Sequence, residues 1–280
     1  MRYVNLFLGL WIISMGLLSS CRDESWEEHI LSCAEMLSPD SALSLLDSIP
    51  MPEEMSDPLA ARWSLLYARS ADKAGKHLPY VDQMKLAVDY YRSGKRYPEW
   101  AESGLFLGRS YVEDKEYDKA MKTYVDALSV ALEIKDYDRA GYICSHMADL
   151  YEIDGSYQKA SEKYEEGNRY FKEVGNMKSY AFGLVNAAFG YVVREEKQKA
   201  LDLLLLADSV AEALGDPEVM SYVYSGLGNV YEEYGMYDQA EEYQRKALSL
   251  DDGSVELAAY IALAGILCET LIVHRKLFLI

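Results

Sequence analysis

Basic residues are scarce in this chain. Over 280 residues, 28 lysines and arginines stand against 46 aspartates and glutamates, which leaves a formal charge of −18. Nucleic acid is excluded as a partner on that ground, because neutralising phosphates needs a basic face. Docking on anionic lipid headgroups by charge alone is disfavoured too, and a neutral to basic protein or peptide partner fits the balance better. Histidines are few, at 29, 77, 146 and 274, with no i, i+4 pair around a carboxylate. The cysteines at 21, 33, 144 and 268 have neither metal spacing nor the pattern of a disulfide framework. No serine sits in a G-x-S-x-G elbow. The nearest approach to a phosphate loop, Gly226-Leu227-Gly228, lacks a third glycine and a preceding strand. Adjacent pairs such as Glu165-Glu166, Glu232-Glu233 and Glu241-Glu242 point about 100° apart on a helix and read as solvated faces, not as acid–base dyads. No catalytic residue, metal site or cofactor is expected, and the chain does not read as an enzyme.

The first residues form a separate category. Arg2 precedes an apolar run from Leu6 to Leu18 that is too short for an ordinary membrane span and reads as a signal-peptide core. It ends Leu18-Ser19-Ser20-Cys21, which resembles the lipobox of bacterial lipoproteins. That resemblance implies cleavage after residue 20, lipidation of Cys21 and an exported chain anchored in a bacterial membrane, the outer more than the inner. Several acyl chains make a stable anchor where one is marginal. Asp23 and Glu24 in the following "RDESWEE" resemble a surface-export signal in a flexible tether.

What is abundant is a repeat. In steps of 40 residues, Gly108, Ala148, Ala188 and Gly228 are small, Tyr111, Tyr151, Tyr191 and Tyr231 are tyrosine, and Ala120, Ala160, Ala200 and Ala240 are alanine. A small residue followed by tyrosine three positions on places both on one helical face. There the small residue admits a second helix and the ring fills the space beside it. Gly75, Gly155 and Gly235 share one column between two helices, and Gly175 and Gly215 another, with Lys135 in the copy before; a left-handed helix cap suits glycine there. Gly94 falls one residue short of that second column, so a shorter turn is expected. The unit is an antiparallel pair of helices, each roughly four turns long.

"LGRSYVEDKEYDKAMKTYVDAL" (Leu107–Leu128) is similar to the tetratricopeptide repeat (TPR), and 141–168 and 221–248 match nearly as well. The 40-residue step resembles its longer-helix members. The resemblance implies an all-α fold, a right-handed α-solenoid of antiparallel helix pairs. The chain divides into a signal peptide at 1–20, a tether and capping helices at 21–60, a degenerate repeat at 61–100, and repeats over 101–250 (about 101–140, 141–180, 181–220 and 221–250). A partial repeat or C-terminal helix occupies 251–280, read as truncated or as docking on a partner. Pro50–Pro58 reads as a loop.

In such solenoids the first helix of each pair, helix A, lines the concave side. Counting the small residue as column 8, columns 2, 5, 9 and 12 face away from the packing contact. They carry Glu102, Leu105, Arg109 and Val112; then Tyr142, Ser145, Asp149 and Glu152; then Phe182, Val185, Phe189 and Val192; then Tyr222, Ser225, Asn229 and Glu232. An aromatic ladder of Tyr142, Phe182 and Tyr222 with an acidic rim suits an extended peptide or a helix bearing apolar and basic side chains. Arg109, Tyr142, Asp149, Phe182, Phe189, Tyr222, Asn229 and Glu232 are the binding candidates. A scaffold or adaptor in the cell envelope is the function this favours. A sensory input module and a glycan-binding lipoprotein are its rivals.

Overall fold

The computed structural model describes residues 24–49 and 55–250. Among them lie twelve helices and no strand: α1 (Glu24–Ala34), α2 (Pro39–Leu46), α3 (Asp57–Lys73), α4 (Val81–Ser93), α5 (Tyr97–Glu113), α6 (Tyr117–Glu133), α7 (Tyr137–Ile153), α8 (Tyr157–Val174), α9 (Met177–Val193), α10 (Lys197–Leu214), α11 (Pro217–Glu233) and α12 (Tyr237–Ser249). Cys21 and its lipobox, residues 251–280 and the middle of the Pro50–Pro58 stretch lie outside the described residues. Residues 24–50 read as two short capping helices, and α1 and α2 occupy that stretch. One boundary moves relative to expectation: α3 takes in Pro58 at its first turn, where a missing N–H costs nothing.

The repeat is built on a half-step. A residue with positive φ closes a helix at Gly75, Lys95, Lys115, Lys135, Gly155, Gly175, Glu195, Gly215 and Gly235, every twentieth position. The N–H of the next residue returns to a carbonyl in the last helical turn, as in Glu116 to Tyr111 (2.8 Å), Ser156 to Tyr151 (2.8 Å) and Asn176 to Phe171 (2.9 Å), the bond that closes a Schellman cap. The helix therefore stops at a fixed place whether the left-handed residue is glycine or not. No turn is shortened near Gly94. Gly94 itself is right-handed, and Lys95 takes the left-handed position. Helices α5 to α11 run 17 or 18 residues, closer to five turns than four, or about 26 Å at the helical rise.

The chain divides into two compact units, one up to Val130 and one from Ala131. In the first, Leu31, Leu46, Trp63 and Leu66 share one core, and the Trp63 indole N–H donates to the Leu46 carbonyl at 3.2 Å. Those contacts fasten α1 and α2 onto α3. A methyl on Gly108 would stand 2.2 Å from the Tyr124 ring, so this glycine is set by the approach of α6. In the second unit Leu184, Val185, Leu204, Val219 and Leu227 centre the core. The same close approach recurs where Gly141 meets the Phe171 ring (2.5 Å to a built Cβ) and Gly228 meets Gln244 (2.6 Å).

Candidate functional site

In the second unit the helices A of successive pairs, α7, α9 and α11, are tied side by side. Asn176 donates to Asp138 at 2.6 Å, and the Tyr142 hydroxyl shares a hydrogen bond with Ser179 Oγ at 2.8 Å. Lys178 donates to Glu218 at 2.5 Å, and the Tyr222 hydroxyl donates to Asn186 at 2.6 Å. The aromatic positions are part of this stitching. Tyr142 lies edge-on to Phe171 with centroids 5.0 Å apart, and Phe182 meets Tyr222 edge-on at 4.9 Å. Tyr142 and Tyr222 nonetheless stay 40% and 41% exposed while their hydroxyls are held.

Beside them is an acidic centre. Tyr164 of α8 is buried, donates to Asp149 at 2.5 Å, and comes within 3.4 Å of Glu152. His146 stands 3.2 Å from Asp149 on the same helix. Burial, with the Asp149 charge next to it, raises the Glu152 carboxyl above its ordinary range. Burial first, and then the Asp149 and Glu152 carboxylates, raise the Tyr164 and Tyr222 phenols. The Tyr164 phenol of α8 and the Tyr222 phenol of α11 thus both feel the carboxylate charges of α7. Two copies on, Gln244 donates to Asn229 at 2.8 Å, which holds an exposed amide in the position Asp149 occupies 80 residues earlier. Glu232, one turn on, is half-buried.

Other candidates fall differently. Column 5 does not face the groove: Leu105 and Val185 are buried, at 8% and 1% exposure. A Cβ on Gly226 would meet Val185 at 2.8 Å, so this column is where neighbouring helices A touch. Phe189 and Val192 are partly buried against the core. Arg109 belongs to the first unit, where it forms an ion pair with Asp72 and lies 6.0 Å from the Phe106 ring. Glu165 and Glu166 are not simply solvated. Tyr191 donates to Glu165 at 2.5 Å, and Lys163 donates to Glu166 at 2.6 Å. The site residue that the candidate columns do not contain is Tyr164, in the second helix of its pair. Its only signal was a hydroxyl in a column where Leu204 serves the following copy.

Among the described residues no helix is long and apolar enough to cross a membrane, and no group of histidine, cysteine and carboxylate side chains is placed to hold a metal.

Comparison with known proteins agrees with this architecture. The tetratricopeptide repeat family model matches residues 221–254. A curated relative, the 43 kDa receptor-associated protein of the synapse of Tetronarce californica, is 24% identical over 151 residues, 54% of this chain. The chain spans only 36% of that relative's length. Among solved structures, apo RapI superposes with a TM-score of 0.62 at 13% identity, covering 91% of this chain and 72% of that one. A Rap protein complexed with competence and sporulation factor gives 0.58 at 17%, covering 90% and 72%. BtubC from P. vanneervenii gives 0.55 at 18%, covering 80% and 90%. The fold these chains have in common with the present one is the all-α, tetratricopeptide-like solenoid of paired helices.

Proposed function

We propose that the chain is a protein-interaction scaffold that grips a polypeptide segment along the helix-A face of its second unit, and that Cys21, once lipidated, holds it at a bacterial membrane. The observation that carries the binding reading is the pair of part-exposed rings, Tyr142 of α7 and Tyr222 of α11, in the same set of helix-A columns as the Asp149 and Glu152 carboxylates that Tyr164 holds together. Half-exposed aromatic rings supply contact area at little entropic cost, and a partly buried carboxylate pair selects a basic side chain. The partner is therefore a segment with apolar groups and at least one lysine or arginine. The Rap neighbour was solved with a factor bound, which supports the use of this fold for ligand capture.

The test is crosslinking in intact cells with the wild-type chain and with Asp149→Asn and Tyr222→Ala variants of matched helicity. Loss of the same crosslinked species from both variants is expected. An unchanged pattern in both would remove the second-unit face from the mechanism.

A further inference from the structure

The first unit has a cavity that the groove reading does not use. In the regular copies helix B starts at 117, 157, 197 and 237, so the same register would start α4 at His77. It starts at Val81. Pro79 is the physical reason: it disfavours a helical conformation for Leu78 and cannot donate a backbone N–H. Residues 77–80 instead form a strap across the end of α5. The Ser110 hydroxyl donates to the Pro79 carbonyl at 3.0 Å, and the Leu78 N–H points to Glu113 at 3.4 Å. One helical turn is thus replaced by an extended segment.

A cavity of about 450 Å³ lies beside that strap, walled by Trp63 and Tyr67 of α3, by Tyr80, and by Asp47, Glu113 and Asp114. A second hollow of about 680 Å³ shares Tyr67, His77 and Glu113 with it. Both fall in the size range of ligand sites. The cationic side chains lining them are already engaged: Lys76 pairs with Asp40 and Arg109 with Asp72. No lysine or arginine among the described residues pairs with Asp47 or Asp114, and Glu113 has only His77, at 3.4 Å. Burial, then the charge of Asp47 and a side-chain hydrogen bond to it, raises the Tyr67 phenol, so Tyr67 is a neutral wall that also orients Asp47. Tyr80 is 81% exposed at the rim.

We infer that this cavity receives a lysine or arginine side chain of a bound polypeptide. The cation lies toward Asp47, Glu113 and Asp114, its aliphatic stem lies against Tyr67, and the adjoining hollow takes the flanking backbone. The charge of the site follows from three carboxylates that no lysine or arginine among the described residues neutralises, and the polypeptide source follows from the second hollow. A free small cation would use the first cavity alone. The site is independent of the groove in the second unit.

The experiment titrates the full chain with a fluorescent, end-blocked alanine pentapeptide carrying a central arginine. The same peptide with citrulline, which keeps the shape and drops the charge, is the control, and free arginine amide is the competitor. Binding of the arginine peptide is expected to exceed that of the citrulline peptide by about tenfold, the scale of one hydrogen bond to a charged group. In a Tyr222→Ala background, which disables the second-unit groove, Asp47→Asn and Asp114→Asn, both at exposed positions, are expected to weaken it similarly with helicity retained. Equal binding of the two peptides overturns the inference, as does indifference to both aspartate substitutions. Loss on Tyr222→Ala would move binding to the second unit. Equally tight binding of arginine amide would remove the polypeptide from the proposal.

Discussion

At the scale of the residue, the nine left-handed positions are held by five glycines, three lysines and a glutamate. The backbone conformation is the same in each, so the side chain decides its cost. A residue with a Cβ loses roughly 1–2 kcal/mol in that region, offset in part by the greater freedom glycine gives up on folding. Gly155 has nothing within 4 Å of a built Cβ, so substitution there reports the backbone alone. Gly155→Ala is expected to lower stability by about 1 kcal/mol, and Lys135→Gly to raise it by a smaller amount, both read from urea midpoints at constant slope. If Lys135→Gly is destabilising, the lysine side chain contributes something the cap geometry does not contain. The same positions mark how far the sequence can be read. Gly75, Gly155, Gly175, Gly215 and Gly235 announce their conformation by being glycine. Lys95, Lys115 and Glu195 do not, because nothing in a lysine or glutamate side chain distinguishes a left-handed cap from a surface helix.

At the scale of the element, each helix must satisfy contacts on two sides, and the groove sits where one side is left over. The 40-residue columns made the packing face of each helix legible, because Gly108, Ala148, Ala188 and Gly228 can only be small for a close approach. They did not reveal lateral contact between helices A, so Val185 was placed in the groove although Gly226 leans on it. The start of α4 was hidden as well, since a proline outside the repeat columns overrides the register locally. The groove itself carries a cost. Glu152 is held partly buried near Asp149, and its carboxyl is raised as a result. A carboxyl raised on folding binds its proton more tightly in the folded state. Its contribution is fully favourable below the unfolded value and is lost as pH rises through the folded one. Glu152→Gln is therefore expected to raise the thermal midpoint at pH 7, with the advantage over wild type shrinking as pH falls toward the ordinary glutamate range. Asp208 is raised in the same sense, while Glu196 and Asp216 are lowered and act oppositely. The difference between variant and wild type at each pH is thus the informative quantity. A midpoint at pH 7 unchanged or lowered by Glu152→Gln would mean the carboxylate is structurally favourable where it stands.

At the scale of the whole molecule, charge and anchoring bear on each other. A chain of formal charge −18 gains nothing from an anionic bilayer surface, where attraction depends on clusters of lysine and arginine. Residence at a membrane, as proposed, would then need hydrophobic insertion, and the run from Leu6 to Leu18 is shorter than a span requires. The two ester-linked acyl chains of a diacylglycerol joined to the Cys21 sulfur by a thioether, with an amide-linked chain on its amino group, would supply what charge cannot, since each buried methylene contributes about 0.8 kcal/mol and more than one chain is needed for a lasting anchor. A change at position 21 leaves the signal core in place, so partitioning alone does not separate a lipid from an uncleaved leader. Incorporation of an alkyne-bearing fatty acid does separate them. Cells expressing the wild-type chain are expected to label it, and Cys21→Ser is expected to abolish the label and leave a longer, unprocessed polypeptide by mass spectrometry. Label persisting in Cys21→Ser would end the lipoprotein reading. The helical fold of the two units would stand, and the case for residence at a membrane would fall with the anchor.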